Sequence, residues 1–278
     1  MQLGIRLHDT AELPFEERIA LVHDMGYKCG HLALSKIKGL PSAPYALTPG
    51  YAMYLRRVFE KNNVDVAVLG CYLNLAEPVP EKLESIRNKY IAAIRFASML
   101  GAGMVGTETG APNSEYKYDP ECRTEWALQS FIKELRGIVK YAEEFGVMFA
   151  IEPVAKHIVW NADRAKQVLD EVDSPNLGII FDPVNLLDGT NYKNREEIFE
   201  HTIDLLGERI IMIHLKDFTV NYDGTLNSVG CGIGEMNYER ILRFVKEKKP
   251  FIHATLENTT PENHAGCRDH ILKIYDSI

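Results

Sequence analysis

The chain has 278 residues, 46% of them hydrophobic and 25% charged, which suits one large α/β domain with a sizeable core spanning 1–278. The formal net charge of −8 argues against a nucleic-acid surface, and no apolar run approaches the roughly 20 residues that a membrane span needs. Five scattered cysteines without a C-x-x-C pair read as reduced thiols, and the N-terminus enters a strand without a basic leader, so a cytoplasmic location is expected.

In chain order, short apolar strands alternate with amphipathic stretches. A strand is expected at 3–7, then a helix at 14–25; a strand at 29–34, then a helix at 49–62. The alternation continues with strand 64–69 and helix 81–100, strand 104–107 and helix 123–145, strand 147–151 and helix 162–172. It closes with strand 177–181 and helix 195–206, strand 210–215 and helix 238–246, and strand 251–256 with helix 261–275. The fourth helix shows the expected period, with Leu128, Phe131, Ile132, Leu135, Ile138, Val139 and Ala142 on one side. Gly26, Gly101, Gly146 and Gly207 stand where left-handed helix caps favour glycine. Eight strands with eight helices give a single-domain (β/α)8 TIM barrel. The loop after the first strand, Leu7-His8-Asp9-Thr10-Ala11, contains no glycine, so a phosphate-binding dinucleotide fold is unsupported. Two long polar loops, 110–122 and 218–237, follow strand C-termini, the face where barrel enzymes place their chemistry.

The chemistry-bearing residues recur at one kind of position. Glu152, Asp182, His214 and Glu257 each close an apolar strand, at gaps of 30, 32 and 43 residues. A strand, helix and two loops of a barrel take roughly 30 residues, so the four groups fall at the same end of neighbouring parallel strands. Each has an ordinary alternative: a rim salt bridge for Glu152 and Glu257, an Asp-Pro turn for Asp182, a satisfied core imidazole for His214. Recurrence at the same strand-end position favours a site. Three carboxylates and an imidazole converging there would repel one another unless a divalent cation were held between them.

The segments Ile151-Glu152-Pro153, Phe181-Asp182-Pro183-x-Asn185, His214-x-Lys216-Asp217 and Leu256-Glu257-Asn258 resemble the xylose isomerase-like sugar phosphate isomerase/epimerase barrels. The stretch Val229-Gly230-Cys231-Gly232-Ile233-Gly234-x-x-x-Tyr238 is similar to that family's glycine-rich loop before helix seven, and the likeness covers essentially the whole chain. The resemblance implies one divalent metal ion, Mn²⁺ foremost with Mg²⁺, Co²⁺ or Zn²⁺ also fitting, held by Glu152, Asp182, His214 and Glu257. It implies Glu152 and Glu257 as the acid/base pair, a small carbohydrate or polyol substrate, and a homodimer or homotetramer. The physical logic stands beside it: a cation bridging a carbonyl and a neighbouring hydroxyl stabilises an enediolate, and two carboxylates can remove and return the proton.

Some positions depart from the family. Asn185 stands where the ketose epimerases carry a histidine, and Ile158, with His157 beside it, stands in place of their second glutamate. Leu226-Asn227-Ser228-Val229 lacks the Asp-x-His pair of endonuclease IV, which argues against a nuclease, as does the net charge. At other strand ends His8, Glu108, His157, Asn185 and Lys216 are candidate substrate contacts; Asp9, Tyr72, Asn74 and Trp160 lie close to the same face. The reading is a metal-dependent isomerase or epimerase of a small sugar or polyol-ketone. An inosose-type dehydratase is the alternative, with a non-catalytic sugar-binding barrel or a nuclease behind it.

Overall fold

Ten strands and eight helices organise residues 1–278 of the computed structural model. The strands are β1 (Gln2–Arg6), β2 (Cys29–Leu32), β3 (Asp65–Gly70), β4 (Val105–Glu108), β5 (Phe149–Glu152), β6 (Leu177–Phe181), β7 (Ile210–Leu215), β8 (Asp217–Val220), β9 (Leu226–Val229) and β10 (His253–Leu256). Eight of them close into a parallel barrel in the order β1-β10-β7-β6-β5-β4-β3-β2, and β8 and β9 form a separate antiparallel ribbon. The helices are α1 (Phe15–Asp24), α2 (Pro49–Lys61), α3 (Pro80–Leu100), α4 (Glu125–Glu144), α5 (Ala162–Val172), α6 (Arg195–Leu206), α7 (Glu239–Lys248) and α8 (His264–Ser277). The fold is the (β/α)8 barrel that the alternating pattern predicts. No helix is long and apolar enough to cross a membrane.

Local chemistry sets the element ends. Thr48, Thr124 and Asn161 cap α2, α4 and α5, each side chain accepting from the backbone N–H three residues on. The cap at Thr124 starts α4 two residues later than the periodicity suggests, because Pro120–Arg123 forms a 3₁₀ turn of its own. Gly26, Gly101 and Gly146 take positive φ at helix ends as expected. Gly207 does not: its φ is −53°, right-handed, and its N–H continues the helix to Ile203 O at 2.8 Å. The ribbon β8–β9 lies within the stretch expected to be an irregular loop. Its turn carries Asp223-Gly224 with Gly224 at φ +82°, between strands of only four residues each, too short for their alternation to stand out.

The pleat decides what reaches the barrel mouth. Side chains alternate faces along a strand, so Phe149 and Ile151 turn to the helices while Ala150 and Glu152 turn inward. In the adjacent strands Ile180 and Asp182, and Met212 and His214, follow the same parity. A small apolar cluster of Cys29, Ala67, Val68, Met104, Ala150, Ile180 and Met212 fills the interior one layer below the mouth. It lies apart from the main core, where α4 buries Phe131, Ile132 and Leu135. Each such side chain contributes about 1.5–3 kcal/mol over exposure.

Two glycines separate packing from propensity. A Cβ on Gly4 would overlap the carbonyl oxygen of Cys29 in the neighbouring strand, whereas one on Gly137, exposed within α4, meets nothing within 4 Å. Gly4→Ala is expected to lower unfolding free energy by about 1–3 kcal/mol. Gly137→Ala is expected to raise it by about 0.5–1 kcal/mol through helix propensity. Urea denaturation of both variants checks the pair, and equal effects would contradict this packing.

Candidate active site

Register pairing brings the candidate side chains together at the C-terminal end of the barrel. Glu108 pairs with Glu152 across β4 and β5, and Arg6 pairs with His31 across β1 and β2. Asp182 and Glu257 are the residues immediately after β6 and β10, and His214 lies in β7. Glu152, Asp182, His214 and Glu257 are all buried.

His214 is the centre of the group. Its Nδ1 lies 3.3 Å from Glu152 Oε1 and 3.4 Å from Glu257 Oε1. Burial disfavours its charge, yet Glu257 and Glu152 outweigh that and raise its pKa to about 9. The two glutamates respond reciprocally. Burial pushes Glu257 up, but His214, His31, Lys216 and Arg6 together hold it well below the usual carboxylate range. Burial pushes Glu152 up as well, and His214 brings it below its ordinary value. Asp182 is different: burial prevails over Lys216 and lifts its carboxyl to about 6.

Lys216 and Asn185 tie these acids together. Lys216 Nζ stands 2.7 Å from Asp182 Oδ2 and 3.7 Å from Glu257 Oε2, and it donates to Asn185 Oδ1 at 2.7 Å. The ammonium loses hydration through burial, but Asp182 and Glu257 raise its pKa further, so it stays charged. Asn185 donates from Nδ2 to Glu152 Oε1 at 2.6 Å, and its backbone N–H donates to Asp182 Oδ1 at 3.0 Å. Both ends of its amide are thus committed within the cluster. Asp182 Oδ2, close to Lys216, has no aligned hydrogen-bond donor.

Above the cluster lies a cavity of about 250 Å³, lined by Arg6, His8, His31, Tyr72, Glu108 and Lys36 together with cluster residues. That is small beside the roughly 300–1,000 Å³ of drug-sized sites. Of the candidate substrate contacts, His8, Glu108, Asn185 and Lys216 line it. His157 does not line it; the ring stands behind Glu108, with Nδ1 3.8 Å from Glu108 Oε2, and burial depresses its pKa to about 4. Burial, reinforced by Glu152, raises Glu108 to about 7, although Tyr116 donates to its Oε2 at 3.2 Å. Burial lowers His8 to about 3, so its ring is neutral near pH 7.

Other candidates serve the scaffold. Asn74 donates to the carbonyls of Ala111 and Asn113 at 2.8 Å and so fastens the 110–122 loop. Trp160 lies under the Arg123 guanidinium, 4.3 Å from ring centre to charge. Asp9 accepts from Arg6 Nε at 2.9 Å. Asp217 accepts from Gly232 N at 3.1 Å and Met236 N at 2.8 Å, anchoring the glycine-rich loop.

Three residues escape the sequence reading. Arg6 reaches Glu257 Oε2 at 3.3 Å, Tyr116 holds Glu108, and His31 places Nδ1 3.5 Å from Glu257 Oε1. A histidine and an arginine on the inward parity of otherwise apolar strands were the available signals for His31 and Arg6. Tyr116 lies in a loop at φ +56°, where no periodicity marks it.

The donor set fits a divalent ion. Ligand atoms of Glu152, Asp182 and His214 lie within 4.8 Å of one another, and so do those of His31, His214 and Glu257. Buried oxygens and imidazole nitrogens at such spacing, with Asp182 Oδ2 lacking an aligned donor, are what a divalent cation takes as ligands.

A closed parallel barrel with buried acids and an imidazole at its C-terminal mouth is the arrangement of (β/α)8 barrel proteins that carry their chemistry on that face. Residues 19–272 match the family described as Xylose isomerase-like TIM barrel, and the chain belongs to it. A curated relative, the 3-oxo-isoapionate decarboxylase of Pectobacterium atrosepticum, is 26% identical over 132 residues, 46% of this chain and 45% of that protein. The match thus spans about half the length of that relative. Among solved structures, the IOLI protein with a bound zinc atom superposes with a TM-score of 0.76 at 16% identity, covering 100% of this chain and 99% of that one. A D-tagatose 3-epimerase-like protein superposes at 0.75 and 22% identity, covering 100% and 97%. These likenesses show the fold.

Lys216 offers a test of the electrostatics. Lys216→Met leaves Asp182 and Glu257 without their ammonium in a buried site, so a loss of about 3–5 kcal/mol of stability is expected. Chemical denaturation at pH 7 reads it; a loss below about 1 kcal/mol would mean that the acids are not held by this charge.

Proposed function

We propose that the protein is a divalent-metal-dependent isomerase or epimerase of a small sugar or polyol-ketone, with Glu152 and Glu257 as the acid/base pair. The observation that carries this reading is the convergence of Glu152 and Glu257 on His214 Nδ1, with Asp182 beside them, beneath a small polar cavity. Membership in a family with epimerase-like neighbours supports it. Glu152, Asp182, His214 and Glu257 would hold the ion. When bound, it would supply Lewis-acid stabilisation of negative charge developing on adjacent substrate oxygens.

The remaining work falls to the chain. A carboxylate must take a proton from carbon α to the carbonyl and return it. The two glutamates are not equivalent. Both oxygens of Glu257 are engaged, Oε1 with His214 and His31 and Oε2 with Arg6 and Lys216. Glu152 uses Oε1 for Asn185 and His214, and its Oε2 is free of hydrogen bonds and ion pairs within the protein. Glu152 therefore takes the proton first, while Glu257 stays ionised until the reaction brings a proton to it. Return by Glu152 to the neighbouring carbon gives isomerisation. Epimerisation needs a proton that water or a substrate hydroxyl passes to Glu257 for delivery to the opposite face, while Glu152 releases the proton it took to water. Lys216 and Arg6 offset the negative charge that accumulates on the substrate. Tyr72 and the imidazole of His8 line the wall and offer hydrogen bonds to hydroxyls.

A second reading, dehydration, has one observation in its favour. Glu108 lines the cavity with a carboxyl raised to about 7, suited to protonating a departing hydroxyl near neutral pH. Mass analysis separates the reactions, since only dehydration loses water.

Elemental analysis of the purified protein tests the metal site. About one divalent ion per chain is expected, and it should vanish in His214→Ala; no ion in wild type after reconstitution would sink the mechanism. With metal bound, Glu257→Gln should lower turnover by about 10²–10⁴-fold, and full activity would remove its acid/base role. Because free His214 titrates near 9 and must be neutral to ligate, metal uptake displaces a proton below that pH. The dissociation constant should rise about tenfold per pH unit from pH 8 to 7. Calorimetric titration with Zn²⁺ reads this, and a pH-independent affinity would contradict the assignment of His214 as a ligand.

A further inference from the structure

His31 stands outside the four residues assigned above, yet its position ties it to them. It lies on the inward face of β2 with 1% exposure, and its ring stacks on that of His214 at 5.3 Å with an interplanar angle of 14°. Its Nδ1 has no hydrogen-bond partner and is directed at Glu257 Oε1, 3.5 Å away. His214 Nδ1 approaches the same oxygen at 3.4 Å and Glu152 Oε1 at 3.3 Å. Atoms held about 2.1 Å from a single ion stand roughly 3–4 Å apart, which is the spacing along this chain of donors.

We infer that His31 is a further ligand of the metal ion, oriented by Tyr72. The inference rests on the proposed metal site. Tyr72 supplies the second half of the argument, because its hydroxyl lies 3.0 Å from His31 Nε2 and the ring lines the cavity. A ligating imidazole needs a bare nitrogen toward the metal and a protonated one toward a second partner. With the proton on Nε2 donated to Tyr72, Nδ1 presents its lone pair to Glu257 Oε1 and His214 Nδ1. The Tyr72 hydroxyl, accepting that proton, keeps its own available for donation. The donor set becomes two imidazole nitrogens with carboxylate oxygens, which favours Zn²⁺ or Co²⁺ over Mg²⁺.

The competing role, donation from His31 Nδ1–H to Glu257 without metal contact, requires the opposite tautomer. Pulsed EPR on wild-type protein loaded with Mn²⁺, with histidine labelled with ¹⁵N, counts the imidazole nitrogens coupled to the ion. Two are expected; one would overturn the inference while leaving the four-residue site standing. Failure to bind Mn²⁺ or any other divalent ion would instead remove the proposed function itself. His31→Gln, verified as folded by circular dichroism, should weaken Zn²⁺ binding at least about 10–100-fold and alter the visible bands of the Co²⁺-loaded protein. Unchanged bands and an affinity within twofold would overturn the ligand role. Tyr72→Phe should keep both imidazole couplings and weaken binding up to about tenfold; an unchanged affinity would remove Tyr72 from its orienting role.

Discussion

Three carboxylates, Glu152, Asp182 and Glu257, are withdrawn from water at one end of the barrel, and the rest of the site is built around that burden. Each buried charge carries a desolvation penalty of several kcal/mol that only close cations and hydrogen bonds offset. Lys216 stands between Asp182 and Glu257, Arg6 reaches Glu257 from β1, and His214 lies between Glu257 and Glu152. The compensation is unequal. Glu257 gathers four basic groups and is held firmly ionised, whereas Asp182 keeps a raised carboxyl despite its ammonium neighbour. A divalent ion shared by these oxygens would complete the balance and would leave His214 neutral.

The barrel makes this concentration of charge tolerable. Adjacent parallel strands are pleated in register, so one parity of residues turns inward on every strand and converges near the axis. Below the acids, that same parity supplies Val68, Ala150, Ile180 and Met212, an apolar plug that excludes water from beneath. The opposite parity packs on the helices and supplies most of the stabilising apolar area. Site and core are therefore two faces of one alternation, and a shift of register by one residue would exchange them.

Beyond the barrel strands, the loops act as clamps. Asp217, one residue past Lys216, faces away from the cavity and gathers the backbone N–H groups of Phe218, Gly232 and Met236. That fixes the glycine-rich segment close to the mouth. Asn74 does the same for the 110–122 loop, which carries Tyr116 onto Glu108. In both cases a buried polar side chain is retained because it satisfies backbone groups that an irregular loop leaves unpaired.

Much was legible in the linear order. The strand and helix alternation needed only local periodicity, and Glu152, Asp182, His214 and Glu257 were visible because each interrupts an apolar strand at its end, where a polar residue is costly without a partner. The ribbon was not legible, because β8 and β9 span only four residues each and Asp223-Gly224 sits in a longer turn between Val220 and Leu226. What only the tertiary structure decided is which distant residues share the mouth. Arg6 and His31 are separated from Glu257 by most of the chain, and they meet it because β1 closes the barrel against β10 and pairs with β2 on its other side. Closure is a property of all eight strands together. The partners of Glu257, the commitment of Asn185 to the acid cluster and the withdrawal of His157 behind Glu108 therefore follow from three-dimensional register, which no local window of sequence contains.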